Sequence, residues 1–454
     1  MSKNKLFSDF QPISSKQWKQ QIQFDLKGAD YNETLVWESP EGIKVRPFYH
    51  SDENIKNLEI ETKATAFKIL QNIYVFDVSK SNKRALETIS RGAESIRFTI
   101  ENEQISIENL MQNLPLTANY FFKLNFLSCE FNSKLNEFAK QKSYSFFIQN
   151  DPINQLISNG NWYENLDKDF EKLNFISSET KTSFININGT IYQNAGANMV
   201  QQLAYILCHC NEYFNKISQI NQPITIEISI GTNYFFEIAK IRALRLLFKT
   251  LSLEYHHNFD CYIIVTPTKR NKTIYDYNTN MLRTTTECMS AILGGADAIA
   301  NLAYDNLYHK DNEFGDRIAR NQLLILKEES YFDKVNNPAD GTYYIESLTE
   351  QLSEKALILF KEIEAKGGLI SQLIDGSIQK KIAESAQKEQ ELFDSGKEIL
   401  LGTNKHPNKN DKMKHDLELF PFVKYNPRKT LIVPIIEKRL AEKMEQERLK
   451  LEVN

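Results

Sequence analysis

Cys208-His209-Cys210 is the densest group of metal-ligating side chains in the sequence. Thiolate and imidazole are the ligands a zinc site uses, but the three must converge on one point. They sit in QQLAYILCHCNEYF, whose apolar spacing is helical, and consecutive helix positions point in different directions. The expectation is two core cysteines with a surface or interfacial histidine, and no metal. His256-His257 precedes a strand-like run and has no carboxylate at ligand spacing, so it too predicts no metal. Arg283 and Glu287 stand four apart on a helical pattern, the spacing of an ion pair worth a few tenths of a kcal/mol. Gly294-Gly295 interrupts that pattern, which points to a break or a close backbone approach.

The elements that would position these groups follow from periodicity. Leu282, Met289, Ile292, Ala296, Ile299 and Ala303 recur at helical spacing. Phe314, Ile318 and Ile325 mark a second helix. Asn337 to Gly341 is a turn and TYYI a strand-like run. Ser347 and Glu350 read as the capping box of a third helix, with Leu348, Leu352, Ala356, Leu359 and Ile363 as its stripe and Gly367-Gly368 as its end. Upstream, ILQNIYVFDV, SIRFTI, FFKLNFLSC, YSFFIQND, TSFININGT, ITIEISIG and CYIIVTP read as strands that alternate with helices. That beat predicts parallel strands with helical crossovers, roughly eight of them: an α/β fold, a TIM-type (β/α)8 barrel. Trp18, Ile22 and Leu26 predict a helix in an N-terminal arm over 1–50, the barrel and its following helices occupy 51–402, and 403–454 form a loop and a charged helix. On that last helix Ile436, Leu440, Met444 and Leu451 make a thin stripe, which suits either a solvated terminus or a docked one.

The totals restrict the function classes. A net charge of -4 offers no basic field for nucleic acid or anionic lipid. No apolar run reaches the roughly 18 residues that span a bilayer, and MSKNKLFSDF has no signal-peptide core. Five scattered cysteines suit a reducing, cytoplasmic compartment.

The words RTTTECMSAILGGADAI, RIARNQLLILKEES and DGTYYIESLTEQL, in that order, resemble the coenzyme-A mutase family, methylmalonyl-CoA mutase in particular. LVWESPEGIKVRPFY is similar to the family's N-terminal segment, which wraps on a partner subunit. The resemblance implies a barrel enzyme that interconverts methylmalonyl-CoA and succinyl-CoA by radical rearrangement with adenosylcobalamin. It also implies where the chemistry should be. The loop GTIYQNAGA is similar to G-Y-H-M-Q-E-A-G-A of catalytic subunits, whose tyrosine and histidine face the substrate carbonyl; here those positions are Thr190 and Ile191. Ile224 and Ile226 stand where catalytic subunits carry a substrate-binding arginine and serine. Further departures are TPTKRNKT in place of the cobalamin-contacting loop, no arginine-glycine-proline-tyrosine segment near Arg91-Gly92, and a missing insertion between Phe175 and Ser183. Glu287, Gly294 and Gly295 become vestigial corrin-facing positions, with the Arg283–Glu287 pair the favoured structural role for the glutamate.

The D-x-H-x-x-G word that supplies the family's lower axial histidine is absent, and only 50 residues follow Asn404, so no cobalamin-binding domain is expected in this sequence. The resulting expectation is a non-catalytic small (beta) subunit, with no cofactor of its own. Its partner would be a catalytic large subunit carrying adenosylcobalamin. The alternatives are a stand-alone barrel enzyme acting on another acyl-CoA and a mutase-associated scaffold. Bulky Ile191, Ile224 and Ile226 predict a barrel axis filled by side chains.

Overall fold

The computed structural model describes residues 8–53, 55–257 and 259–452. The first seven residues of the MSKNKLFSDF word therefore lie outside the described residues. A short antiparallel ladder, β1 (Trp37–Glu38) with β2 (Lys44–Val45), precedes the barrel. Eight parallel strands then close a barrel: β3 (Lys68–Tyr74), β4 (Ser95–Ile100), β5 (Asn119–Leu124), β6 (Ser145–Asn150), β7 (Ser183–Asn188), β8 (Thr225–Ile230), β9 (Tyr262–Pro267) and β10 (Ala298–Ile299). β10 completes the ring by pairing with both β3 and β9. The expected (β/α)8 barrel is present.

The eighth strand lies inside the stretch whose apolar spacing reads as one helix. The helix is Thr279–Gly294, and Gly295 ends it in the left-handed region at φ 90°. A Cβ on Gly295 would stand 2.4 Å from Thr62 Cγ2, and one on Gly294 would stand 3.0 Å from Ile241 Cβ. The glycine pair thus both breaks the helix and permits close approach. Ala296 to Ala303 are not helical, and Leu282, assigned to the stripe, is exposed.

Other local expectations are corrected. TYYI is not a strand: it forms the start of the helix Tyr343–Glu364, so Ser347 is inside that helix rather than its cap. Long-range charge decides this, because Glu346 in the first turn meets the buried Arg242 guanidinium at 2.8 Å and accepts Gly341 N–H at 3.0 Å. The helix Glu313–Leu324 buries Gly315, Ala319, Arg320 and Leu323, while Phe314 and Ile325 face out. Among the described residues after 402 only Glu442–Leu451 is helical, and its stripe is inverted: Glu442 and Glu445 are buried, whereas Met444 and Leu451 are exposed. Ile436 is exposed too, and Leu440 is buried ahead of the helix. Glu445 is drawn in by Arg439 at 2.7 Å and by the Ile274 N–H at 2.9 Å.

Strand alternation sorts the barrel's side chains. Toward the N-terminal end of the lumen Leu70, Phe121, Ile264 and Ala298 cluster with Phe147 and Tyr262; the Phe121 and Phe147 rings stack at 4.5 Å. One step along the strands the lumen turns polar. Arg97 on β4 reaches Glu227 on β8 at 2.6 Å, spanning strands that are not neighbours. Asn186 and Gln149 donate to the other Glu227 oxygen at 2.9 and 3.5 Å, and Asn72 accepts from Arg97 at 2.8 Å. Among the described residues no helix is long and apolar enough to cross a membrane.

Candidate functional site

The loops that follow the strands form the mouth of the barrel, the end where barrel enzymes place their chemistry. A cleft of about 790 Å³ lies there, lined by Asn188, Ile191, Asn194 and Lys269 from the barrel and by residues 420–428 and 433–439 of an irregular C-terminal strap. The strap is held by backbone bonds: Ile432 N–H to Gly160 O at 3.1 Å, Ile435 N–H to Ile157 O at 2.9 Å, Lys438 N–H to Asn194 O at 3.0 Å, and Leu440 N–H to Arg270 O at 3.0 Å. Arg270, buried, donates to Lys438 O at 2.7 Å and pairs with Glu389.

After β7 the chain enters a one-turn helix, Thr190–Asn194. Thr190 is turned back on the strand end, its Oγ1 donating to Asn188 Oδ1 at 2.6 Å. Ile191 lines the cleft and is 5% exposed, so this position offers the cleft hydrocarbon only. Asn194 joins three elements: its Oδ1 accepts from Thr268 Oγ1 at 2.7 Å and Lys269 N–H at 3.1 Å, while its Nδ2 donates to Glu437 at 3.0 Å.

Ile224 and Ile226 are fully buried, but not in the lumen. Because Thr225 and Glu227 hydrogen-bond inside the barrel, the flanking isoleucines point the opposite way, into the apolar layer shared with the surrounding helices. The expectation that they fill the axis is therefore overturned for both. The middle of the axis is closed by the Arg97–Glu227 layer instead.

Glu287 is buried, and its partner is not Arg283. Lys272 Nζ, from the loop after β9, reaches its two oxygens at 2.8 and 3.0 Å, and Asn271 Nδ2 donates at 2.7 Å. Arg283 turns to Asn280 Oδ1 at 2.8 Å and Leu401 O at 2.6 Å. Burial pushes the Glu287 carboxyl up against the opposing pull of Lys272, and burial likewise pushes the Lys272 amine down. Gly294 and Gly295 are at the far end of the same helix, packed on Ile241 and Thr62 where the chain enters β10. The structure does not bring them to the mouth with Ile191.

Two groups escaped the sequence reading. Asp151, at the end of β6, accepts from His209 Nε2 at 2.9 Å, Tyr213 O–H at 2.7 Å, Asn154 N–H at 2.9 Å and Asn188 N–H at 2.8 Å. His209 is thus fully buried rather than at a surface, because it has a carboxylate to bond. The signal was Asp151-Pro152, an N-cap and N1 pair directly after a strand. Glu237 and Lys240 form the second group, a completely buried pair at 2.5 Å. Lys240 also donates to Ser229 O at 2.7 Å and Gln193 Oε1 at 3.0 Å, and burial holds its amine below the usual range. Among the described residues no three His, Cys, Asp or Glu side chains are grouped to hold a metal ion.

The sequence matches the family model for methylmalonyl-CoA mutase over residues 116–447. It is 32% identical over 449 residues to the methylmalonyl-CoA mutase small subunit of Porphyromonas gingivalis, covering 89% of this chain and 72% of that protein. Over 237 residues it is 35% identical to the methylmalonyl-CoA mutase of Cereibacter sphaeroides, covering 50% of this chain and 33% of that protein. The mitochondrial methylmalonyl-CoA mutase of Homo sapiens is 26% identical over 485 residues, with 88% of this chain and 62% of that protein covered. The chain thus spans about a third of the Cereibacter sphaeroides protein and under two thirds of the human one. With a match over most of its length, the chain belongs to the methylmalonyl-CoA mutase family.

Proposed function

We propose that this chain is the non-catalytic small subunit of a heterodimeric, cobalamin-dependent methylmalonyl-CoA mutase. Its large subunit would bind adenosylcobalamin and carry the interconversion of methylmalonyl-CoA and succinyl-CoA. The observation that carries this reading is Ile191. It lines the mouth of the barrel at the position where the family resemblance calls for a histidine, and a hydrocarbon can neither donate a proton nor polarise a carbonyl. Two more observations support it. The Arg97–Glu227 pair occupies the lumen through which a long substrate would have to thread. Among the described residues no histidine lines the cleft, so a substrate carbonyl there would meet no imidazole to polarise it.

For the arm, Ile13 is 63% and Phe24 79% exposed, on or beside a helix, Ser15–Asp25, that buries none of its residues. An apolar arm of this kind supports docking on a partner. The cysteines are all free, which suits a reducing, cytoplasmic setting.

The test is purification alone and after co-expression with a large mutase subunit of the same genome. The expected result is no turnover of methylmalonyl-CoA by the isolated chain with adenosylcobalamin supplied. A one-to-one complex should carry both turnover and the cobalamin absorbance. Turnover by the isolated chain would instead establish a stand-alone barrel enzyme.

A further inference from the structure

The cleft between strap and barrel has a charge balance that a purely structural subunit does not need. Five cations line it, Lys269, Lys424, Arg428, Lys438 and Arg439, against two carboxylates, Glu437 and Glu442. The whole chain, by contrast, carries a net charge of -4. Lys269 is paired with Glu437 at 3.3 Å and Arg439 with Glu445 at 2.7 Å. The Glu442 carboxylate is taken up by backbone, accepting Arg439 N–H at 2.8 Å and Val423 N–H at 3.2 Å. Among the described residues Lys424, Arg428 and Lys438 make no ion pair; the Arg428 guanidinium has only the Asn159 carbonyl at 2.8 Å.

Three uncompensated cations around one concavity focus a positive potential into it. At about 790 Å³ the cleft falls in the range of roughly 300–1,000 Å³ usual for small-molecule sites. The strap also brings flat apolar faces to the same cleft, Phe420 at 58% and Tyr425 at 81% exposure. Cations beside exposed rings suit a ligand with phosphate groups and an attached ring.

We propose that the cleft between the C-terminal strap and the barrel mouth binds a phosphate-bearing small molecule. Lys424, Arg428 and Lys438 hold its charge, and Phe420 and Tyr425 offer a face to its ring. The site is outside the barrel lumen and asks nothing of Ile191, so it goes beyond the subunit role and does not depend on it. Since the strap supplies those three cations and the barrel loops supply Lys269 and Asn188, a bound ligand would clamp the strap to the barrel.

The test is titration calorimetry of the full chain with pyrophosphate, ADP and adenosine, joined to amide hydrogen exchange. The expected result is binding of ADP and pyrophosphate that weakens with salt, with adenosine at least about tenfold weaker. ADP should slow exchange in residues 420–438. The K424A/R428A/K438A variant removes exposed side chains and should keep the parent circular dichroism, while ADP affinity falls about tenfold or more. Any of four results would overturn the proposal: no binding of either phosphate compound at millimolar concentration, adenosine binding as tightly as ADP, undiminished binding by the triple variant, or protection confined to other segments. A triple variant that loses only the large subunit, with ADP ignored by the parent, would assign these cations to a protein interface instead.

Discussion

Substituting Glu227→Gln tests whether the middle of the barrel axis is held by charge. Arg97 and Glu227 are 6% and 2% exposed and meet at 2.6 Å across the lumen. Without the carboxylate, Arg97 keeps the Asn72 oxygen at 2.8 Å and a neutral amide oxygen in place of the anion, leaving a buried guanidinium without its counter-charge. Removing one partner of a buried ion pair costs about 3–5 kcal/mol, and the polar neighbours that remain place this case near the lower end, about 3 kcal/mol. Removing both charges in R97M/E227Q should return much of that loss, so the double variant falls short of additivity by about 2 kcal/mol. Urea unfolding followed by circular dichroism reads all three differences. The pH dependence supplies a sign. Burial pushes the Glu227 carboxyl up, but Arg97, Lys123 and Asn186 pull it down by more, so it sits below the ordinary value. Its stabilisation is therefore complete above the unfolded value of about 4.3 and drains away as pH falls through the lower native value. The parent and E227Q curves should converge in acid. A cost under about 0.5 kcal/mol at neutral pH, or strict additivity, would refute the reasoning.

Three further outcomes follow from other parts of the fold. Gly295→Ala places a Cβ 2.4 Å from Thr62 in a left-handed conformation and should cost about 1–3 kcal/mol, read as a lowered unfolding midpoint; an unchanged midpoint would deny the close approach. Asp151→Asn weakens the bonds from His209, Tyr213, Asn154 and Asn188 together, and a loss of about 2 kcal/mol or more is expected, with faster amide exchange at Asn188. His309 feels a downward push from burial and a larger upward one from Asp305 and Asp416, so its pKa is raised. Its contact with the 413–418 segment is thus at full strength below about pH 6.5 and weakens as pH rises through the raised value. Amide exchange near Asp416 should quicken with pH beyond its intrinsic rate, and His309→Gln should abolish that excess.

Much of the barrel was legible because β3 to β9 are apolar runs of six or seven residues bounded by helical patterns. β10 was not, since a strand of two residues has too few positions to set its period apart from the helix before it. The misplacement of Ile224 and Ile226 had a signal that went unused. In ITIEISIG and TSFININ the alternate residues are Thr225, Glu227, Ser229 and Asn186, Asn188. Helices cover the outer face of a barrel, so the polar half of such an alternation has only the lumen to enter. Glu445 and His209 offered no local signal, because a buried charge or imidazole is decided by partners distant in sequence: Arg439 and Ile274 for one, Asp151 for the other.

The strap and the lumen also bear on where a partner would sit. The strap's backbone bonds run to Ile157, Gly160, Asn194 and Arg270, all in segments after β6, β7 and β9. On the rim after β3, by contrast, Tyr74 is 48% and Phe76 92% exposed. A chain that buries Glu445 and Arg439 to seat its own strap on one side of the mouth, yet leaves a phenylalanine bare on the other, is asymmetric in what it covers. Desolvating charge is costly and burying a phenyl ring is favourable, so stability alone would produce the reverse arrangement. Exposed aromatics at the barrel mouth have an explanation in a second surface that covers them. The proposed large subunit would supply one, with the rim after β3 buried in the complex and the strap side left free for its ligand.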